Sequence, residues 1–219
     1  TGGHVASDAS GGAVQVNSGA LALFEYVTFS GNSAGSDPHG GGALYVAHGS
    51  SANIQHSLFI ANRAVGGFGG GAWVEGQASF QYTTFDKDNS LWGGAASMYH
   101  SSTKYPDGKT LATFVSSTFL GNTASDFGGS LHVASHMVAE FLGAKNVDAV
   151  VAQCSFSGGV APHGKDILLY QSGKVHLLNT GIEAGNIVKY AGQGFVADSC
   201  TGFYCAKLLG RSECSASGT

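Results

Sequence analysis

Apolar and polar residues alternate in short runs along this chain, and clusters of Gly, Asn and Ser separate the runs. Ala13-Val14-Gln15-Val16 is followed by the turn cluster Asn17-Ser18-Gly19, then by Leu21 to Phe29. Ala43-Leu44-Tyr45-Val46 is followed by His48-Gly49-Ser50-Ser51, then by Ile54 to Phe59. Alternation with period two, rich in β-branched and aromatic residues, predicts strands and not helices. In the run from Leu21, the alternation sets Leu21, Leu23, Val27 and Phe29 inward, with a bend at Glu25 or Tyr26. A helical period is suggested only near Ser135 to Leu142.

The runs recur. Phe29, Phe59, Phe85, Phe119 and Phe156 each close a run, and Ile182 resembles a degenerate sixth copy. Asn32, Asn62 and Asn122 stand three residues after their phenylalanines, whereas Asp88 and Asn89 follow Phe85. An interleaved signal precedes the strands: Gly11-Gly12-Ala13, Gly41-Gly42-Ala43, Gly70-Gly71-Ala72, Gly93-Gly94-Ala95 and Gly128-Gly129-Ser130. An irregular period of roughly 23 to 37 residues is the signature of a solenoid whose loops vary. Strands this short bury a face only by stacking in parallel, about 4.8 Å apart, on their counterparts in the next coil. The pattern therefore predicts an all-β, right-handed parallel β-helix of about six or seven coils over residues 1–191, with a cysteine-bearing segment over 192–219. Phenylalanine would form an internal ladder, and stacked asparagine amides would hydrogen-bond along the axis. Insertions at Tyr99–Thr110 and Ala134–Ala149 would bulge from the side.

Composition narrows the setting. Only 11% of the 219 residues are charged, against about 25% in ordinary soluble domains. A net charge of −4 with scattered basic residues excludes a nucleic-acid binder. No apolar run reaches the ~18 residues of a membrane span. The chain opens in mid-pattern at Thr1 without a signal peptide, as an excised or processed piece would. Of four cysteines, Cys200, Cys205 and Cys214 cluster at the C-terminus. That spacing reads as disulfides formed in an oxidising compartment; free thiols and, more weakly for want of paired Cys-x2-Cys spacing, a zinc site are the other readings. Cys154, two residues before Phe156, shares its position with Val27, Ser57, Thr83 and Ser117, and is expected to be buried.

The paired Gly-Gly-Ala and Phe-x-x-Asn signals, over roughly residues 11–160, resemble the repeats of the chlamydial polymorphic outer membrane proteins and their bacterial and algal relatives. The resemblance implies a pectin-lyase-like β-helix from a surface-exposed protein, used in adhesion or as an extracellular stalk. No transporter barrel follows here, and the C-terminal cysteines look like the start of a cysteine-rich module.

Candidate chemistry is thin. Asp86-Lys87-Asp88 is the one dense acidic group, and polysaccharide cleavage needs two carboxyls about 5 to 9.5 Å apart. A turn in place of the usual Asn is the alternative reading. Asp8, Asp37 and Asp126 precede glycine pairs, where they would cap Asx-turns or, if stacked, hold Ca2+. Nine histidines supply pairs but no converging set of ligands, and His132 and His136 are expected at turns or on the surface. Recurrent threonines are limited to Thr28, Thr84 and Thr118, too few for an ice- or mineral-binding face. The chain thus reads as a structural or adhesive module that binds flanking repeats, copies of itself or a surface polysaccharide. A polysaccharide lyase or hydrolase using Asp86 and Asp88 is the alternative.

Overall fold

The computed structural model describes residues 10–17, 19–35, 40–101, 110–136, 147–171, 174–178, 180, 182, 186–190 and 195–197. The first coil holds β1 (Val14–Val16), β2 (Leu21–Glu25), β3 (Thr28–Ser30) and β4 (Ser33–Ala34). The second holds β5 (Leu44–Val46), β6 (Ser51–Gln55), β7 (Leu58–Ile60) and β8 (Arg63–Ala64). The third holds β9 (Ala72–Val74), β10 (Gln77–Gln81), β11 (Thr84–Asp86) and β12 (Asn89–Trp92). The fourth holds β13 (Ala96–Ser101), β14 (Thr110–Val115), β15 (Thr118–Leu120) and β16 (Thr123–Phe127). The fifth holds β17 (Leu131–His136), β18 (Val147–Ala152) and β19 (Ser155–Ser157). The sixth holds β20 (Ile167–Gln171) and β21 (Lys174–Leu178), and the seventh β22 (Ile187–Tyr190) and β23 (Phe195–Ala197).

Among the described residues each strand pairs in parallel with its counterpart one coil away, giving two seven-stranded sheets, one of five strands and one of four. This is a parallel β-helix. Among the described residues there is no α-helix, and β17 runs through Ser135 and His136, where the sequence suggests a helical period.

The five phenylalanines lie in register on the third sheet. Their rings stack at centroid distances of 4.6, 4.7, 5.2 and 4.5 Å from Phe29 to Phe156. A second internal row, from the second sheet, holds Phe24, Ile54, Phe80 and Phe114, and its three rings meet the ladder edge-on. Aromatic pairs in these geometries contribute about 0.5–1.5 kcal/mol beyond the area they bury.

That second row corrects the phase expected for β2. Leu21 and Leu23 face outward, 68% and 72% exposed, while Ala22 and Phe24 pack against the core. Tyr26, at φ 57°, turns the chain through the left-handed region and resets the alternation before Phe29. His56, Tyr82, Ser116 and Gln153 turn the same corner in later coils. The next residue in each coil closes it. Ser57 and Ser117 hydroxyls accept the N–H of Val27 and Thr83 at 3.1 and 3.2 Å. Cys154 is a buried free thiol that donates to the carbonyls of Ala152 and Phe114, and burial pushes its pKa up to about 11.

The glycine corner also differs from the expected alignment by one residue. Leu44 pairs with Ala72, so Gly69-Gly70 is the true pair of the third coil and Gly71 takes the alanine position. The first glycine of each pair has positive φ, for example 65° at Gly41 and 69° at Gly93. The second has no room for a side chain, because a Cβ on Gly42 or Gly94 would collide with the glycine carbonyl of the next coil.

Candidate contact surface

Burial places the predicted residues on two sides of the wall. Asn32, Asn62 and Asn122 are buried in one ladder with Asp88. Asn32 Nδ2 and its backbone N–H donate to Asn62 Oδ1 at 2.8 and 3.0 Å, and Asn62 repeats this toward Asp88 Oδ1. Asp88 is fully buried, while Asp86 is half-buried on the face of β11 opposite the inward Phe85. The two carboxyls therefore do not open onto a common substrate. Asp126 Oδ2 accepts the Trp92 indole N–H at 3.2 Å. Asp8, Asp37, Cys200, Cys205 and Cys214 lie outside the described residues. Among the described residues no three His, Cys, Asp or Glu side chains gather as a metal site, and no helix is long and apolar enough to cross a membrane.

Both predicted insertions leave from the same corner of the solenoid. Ser101 pairs with His136 where the chain departs, and Thr110 pairs with Val147 where it returns. The two departure points therefore lie one coil apart, and so do the two return points.

The sequence reading missed an aromatic seam outside the core. Its first row is the outward residue of the first sheet: Tyr45, Trp73, Ser97 and His132 in successive coils. Its second row comes from the corner before each glycine pair, where Phe68, Trp92, Phe127 and His163 are joined by parallel bridges. The rows interleave. Tyr45 stacks on Trp73 at 4.6 Å, and Phe68 lies 5.3, 4.7 and 5.0 Å from Trp73, Trp92 and Tyr99. Phe127 meets His163 and Tyr170 at 5.4 and 6.1 Å. From the second coil to the sixth the seam spans four coil steps, on the order of 19 Å at the usual strand spacing.

Polar handles orient the rings. The Tyr45 hydroxyl donates to Glu75 Oε2. Ser97 Oγ lies 2.9 Å from His132 Nδ1. His132 is 3% exposed, not at the surface as expected, and Trp92, Phe127 and Tyr170 surround it. Burial pushes its pKa down to about 3, so the imidazole is neutral at pH 7. Ser97 is fully buried, which keeps this hydroxyl–imidazole pair from acting as a nucleophile on an external substrate. Tyr45, Trp92, Tyr99, Phe127 and Tyr170 are only half-buried, so the seam is an aromatic strip partly open to solvent, with the carboxyl groups of Glu75 and Asp126 bonded to two of its rings.

One signal for the seam was available. The residue just before the positive-φ glycine is Phe68, Trp92, Phe127 and then His163 in successive coils.

Residues 26–47 match the model of the Chlamydia polymorphic membrane protein repeat. The match runs from the Tyr26 corner through Phe29 and Asn32 to the Gly41-Gly42 corner and β5, one complete passage between sheets. This stretch of the chain is thus similar to a polymorphic membrane protein repeat. Neither the curated proteins nor the solved structures gave a match.

Proposed function

We propose that this chain is a non-catalytic structural and adhesive module of an extracellular or cell-surface protein. It engages flanking repeats or copies of itself end-on, and a surface ligand such as a polysaccharide along the aromatic seam. The observation that carries this reading is the seam itself: large rings gathered on the outer face of a solenoid whose interior is already filled. Tyr, Trp and Phe gathered in partly exposed strips are the residues enriched in contact surfaces. Support for end-on contact comes from β1, β2, β3 and β4, which among the described residues are edge strands of their sheets. Edge strands, with N–H and C=O groups left unpaired, invite pairing.

Both tryptophans of the chain, Trp73 and Trp92, lie in the seam, so tryptophan fluorescence excited selectively over tyrosine reports on this face alone. Titration with a panel of neutral and acidic polysaccharides should give a saturable fluorescence change with at least one of them and no release of sugar fragments. Trp92→Ala should weaken that binding at least tenfold. An unchanged signal across the panel would remove the seam from the proposal. Sugar cleavage abolished by Asp86→Asn or Asp88→Asn would replace the module reading with an enzyme.

A further inference from the structure

Asp88 occupies a rung that asparagine holds in the neighbouring coils. Those neighbours define what the rung requires. Asn62 Oδ1 accepts the N–H of Asn32 at 3.0 Å, and Asn62 Nδ2 donates to the Phe29 carbonyl at 3.0 Å. Asn122 repeats both bonds, accepting the N–H of Asp88 at 3.0 Å and donating to the Phe85 carbonyl at 3.1 Å. Asp88 Oδ1 meets the first requirement, taking the N–H and the Nδ2 of Asn62 at 2.8 and 3.0 Å. Its Oδ2 stands in place of the amide nitrogen, buried and without a hydrogen-bond partner. By the register Phe59 to Phe85, the group this oxygen must address is the Phe59 carbonyl, which offers only lone pairs.

We propose that Asp88 is held as the neutral carboxylic acid, with Oδ2–H donating to the Phe59 carbonyl, so that a proton latches the second coil to the third. The surroundings favour the neutral form. Asn62 and Asn122 face Asp88 from the coils on either side, and Gly71 from the corner before β9, where a Cβ would lie 2.9 Å from Oδ2. The charge that bears on it is Asp86, of the same sign. Lys87 is exposed and lies over Gly121, and Arg63 beside Asn62 is also exposed. Burial holds the Asp88 carboxyl well above the usual carboxylate range, aided by the Asp86 charge and opposed by the bonds from Asn62. Loss of the proton would set a carboxylate oxygen against a carbonyl oxygen in a dry interior, an arrangement with no compensating donor.

An acid whose pKa is raised by folding stabilises the fold below its unfolded pKa, near 3.9, and loses that contribution as pH rises toward its folded value. Denaturant melts of the full chain and of Asp88→Asn, compared across about pH 4 to pH 9, isolate this residue. The folding constant of the wild type relative to D88N should fall by up to tenfold per pH unit until the folded acid itself ionises. Asp86→Asn should leave most of that pH dependence in place. Asp88→Asn is expected to fold, since asparagine holds the same rung in three other coils. The second readout is the carboxyl carbon resonance of Asp88 in the intact protein, which should keep the protonated shift at about pH 6. A carboxylate shift at that pH, or parallel pH profiles for wild type and D88N, would overturn the latch.

Discussion

At the scale of single residues, this fold uses identical positions for different chemistry. The outward position of the first sheet carries Tyr45, Trp73, Ser97 and His132 in four successive coils, and the last two share a buried hydrogen bond. Desolvation is the cause of the depressed His132 pKa, so the folded state excludes the imidazolium. A basic group whose pKa falls on folding contributes its full stability above the unfolded value, near 6.5, and loses it as pH drops toward 3. At 1.36 kcal/mol per pKa unit, acidification from about pH 6.5 to pH 4 should cost roughly 3 kcal/mol through this residue. His132→Gln keeps a polar partner for Ser97 and cannot titrate. Its acid limb in denaturant melts should therefore be shallower than the wild type's by about that amount. An equally steep limb would mean that other groups govern the acid response.

At the scale of strands and corners, the difference between a crowded glycine of a Gly-Gly pair and an open glycine at another corner is testable. A Cβ at Gly94 would meet the Gly129 carbonyl and the Thr123 backbone, neither of which can move without breaking the parallel register. Gly31 also has positive φ, 62°, yet nothing lies within 4 Å of its Cβ position. Ala61 holds the same corner one coil on, at φ 52°. Gly94→Ala should thus cost about 3 kcal/mol, the scale of severe overpacking. Gly31→Ala should cost about 1 kcal/mol, the strain of a left-handed residue. Thermal melts giving equal losses would refute the distinction. The same corners explain what the sequence made legible. Phe29 through Phe156 could be placed because one large residue per coil marks a rung. The phase of β2 could not, since Leu21-Ala22-Leu23-Phe24 is apolar on both faces and the turn at Tyr26 breaks the alternation. Gly69-Gly70-Gly71 offered two alignments, and only the pairing of Leu44 with Ala72 chooses between them. The seam escaped because Phe68, Trp92 and Phe127 sit among glycines and polar residues, where no local period announces a buried face.

At the scale of the whole molecule, each coil touches chiefly the coils beside it, so stability should be distributed like that of a one-dimensional array. Burial already follows position in the stack. Phe59 is fully buried between Phe29 and Phe85, with Phe80 against its edge at 6.1 Å. Phe156 ends the third sheet, is half-buried, and stacks on Phe119 at 4.5 Å. In the first coil Val14, Ala22, Phe24 and Val27 are only partly covered, whereas Leu44, Ala52, Ile54 and Ser57, their counterparts in the second, are buried. Truncating a ring enclosed on both faces removes contacts that the surrounding rungs cannot restore, because their spacing is fixed by the backbone ladders. Phe59→Ala should therefore cost about 3–5 kcal/mol. Phe156→Ala should cost less than half as much, since a ring at the end of its sheet has less contact to lose. Amide exchange should show the same gradient, with the strands of the first coil exchanging before those of the second and third. Equal losses for the two phenylalanines, together with uniform exchange along the stack, would mean that the solenoid opens as one unit and that its coils are not separable elements of stability.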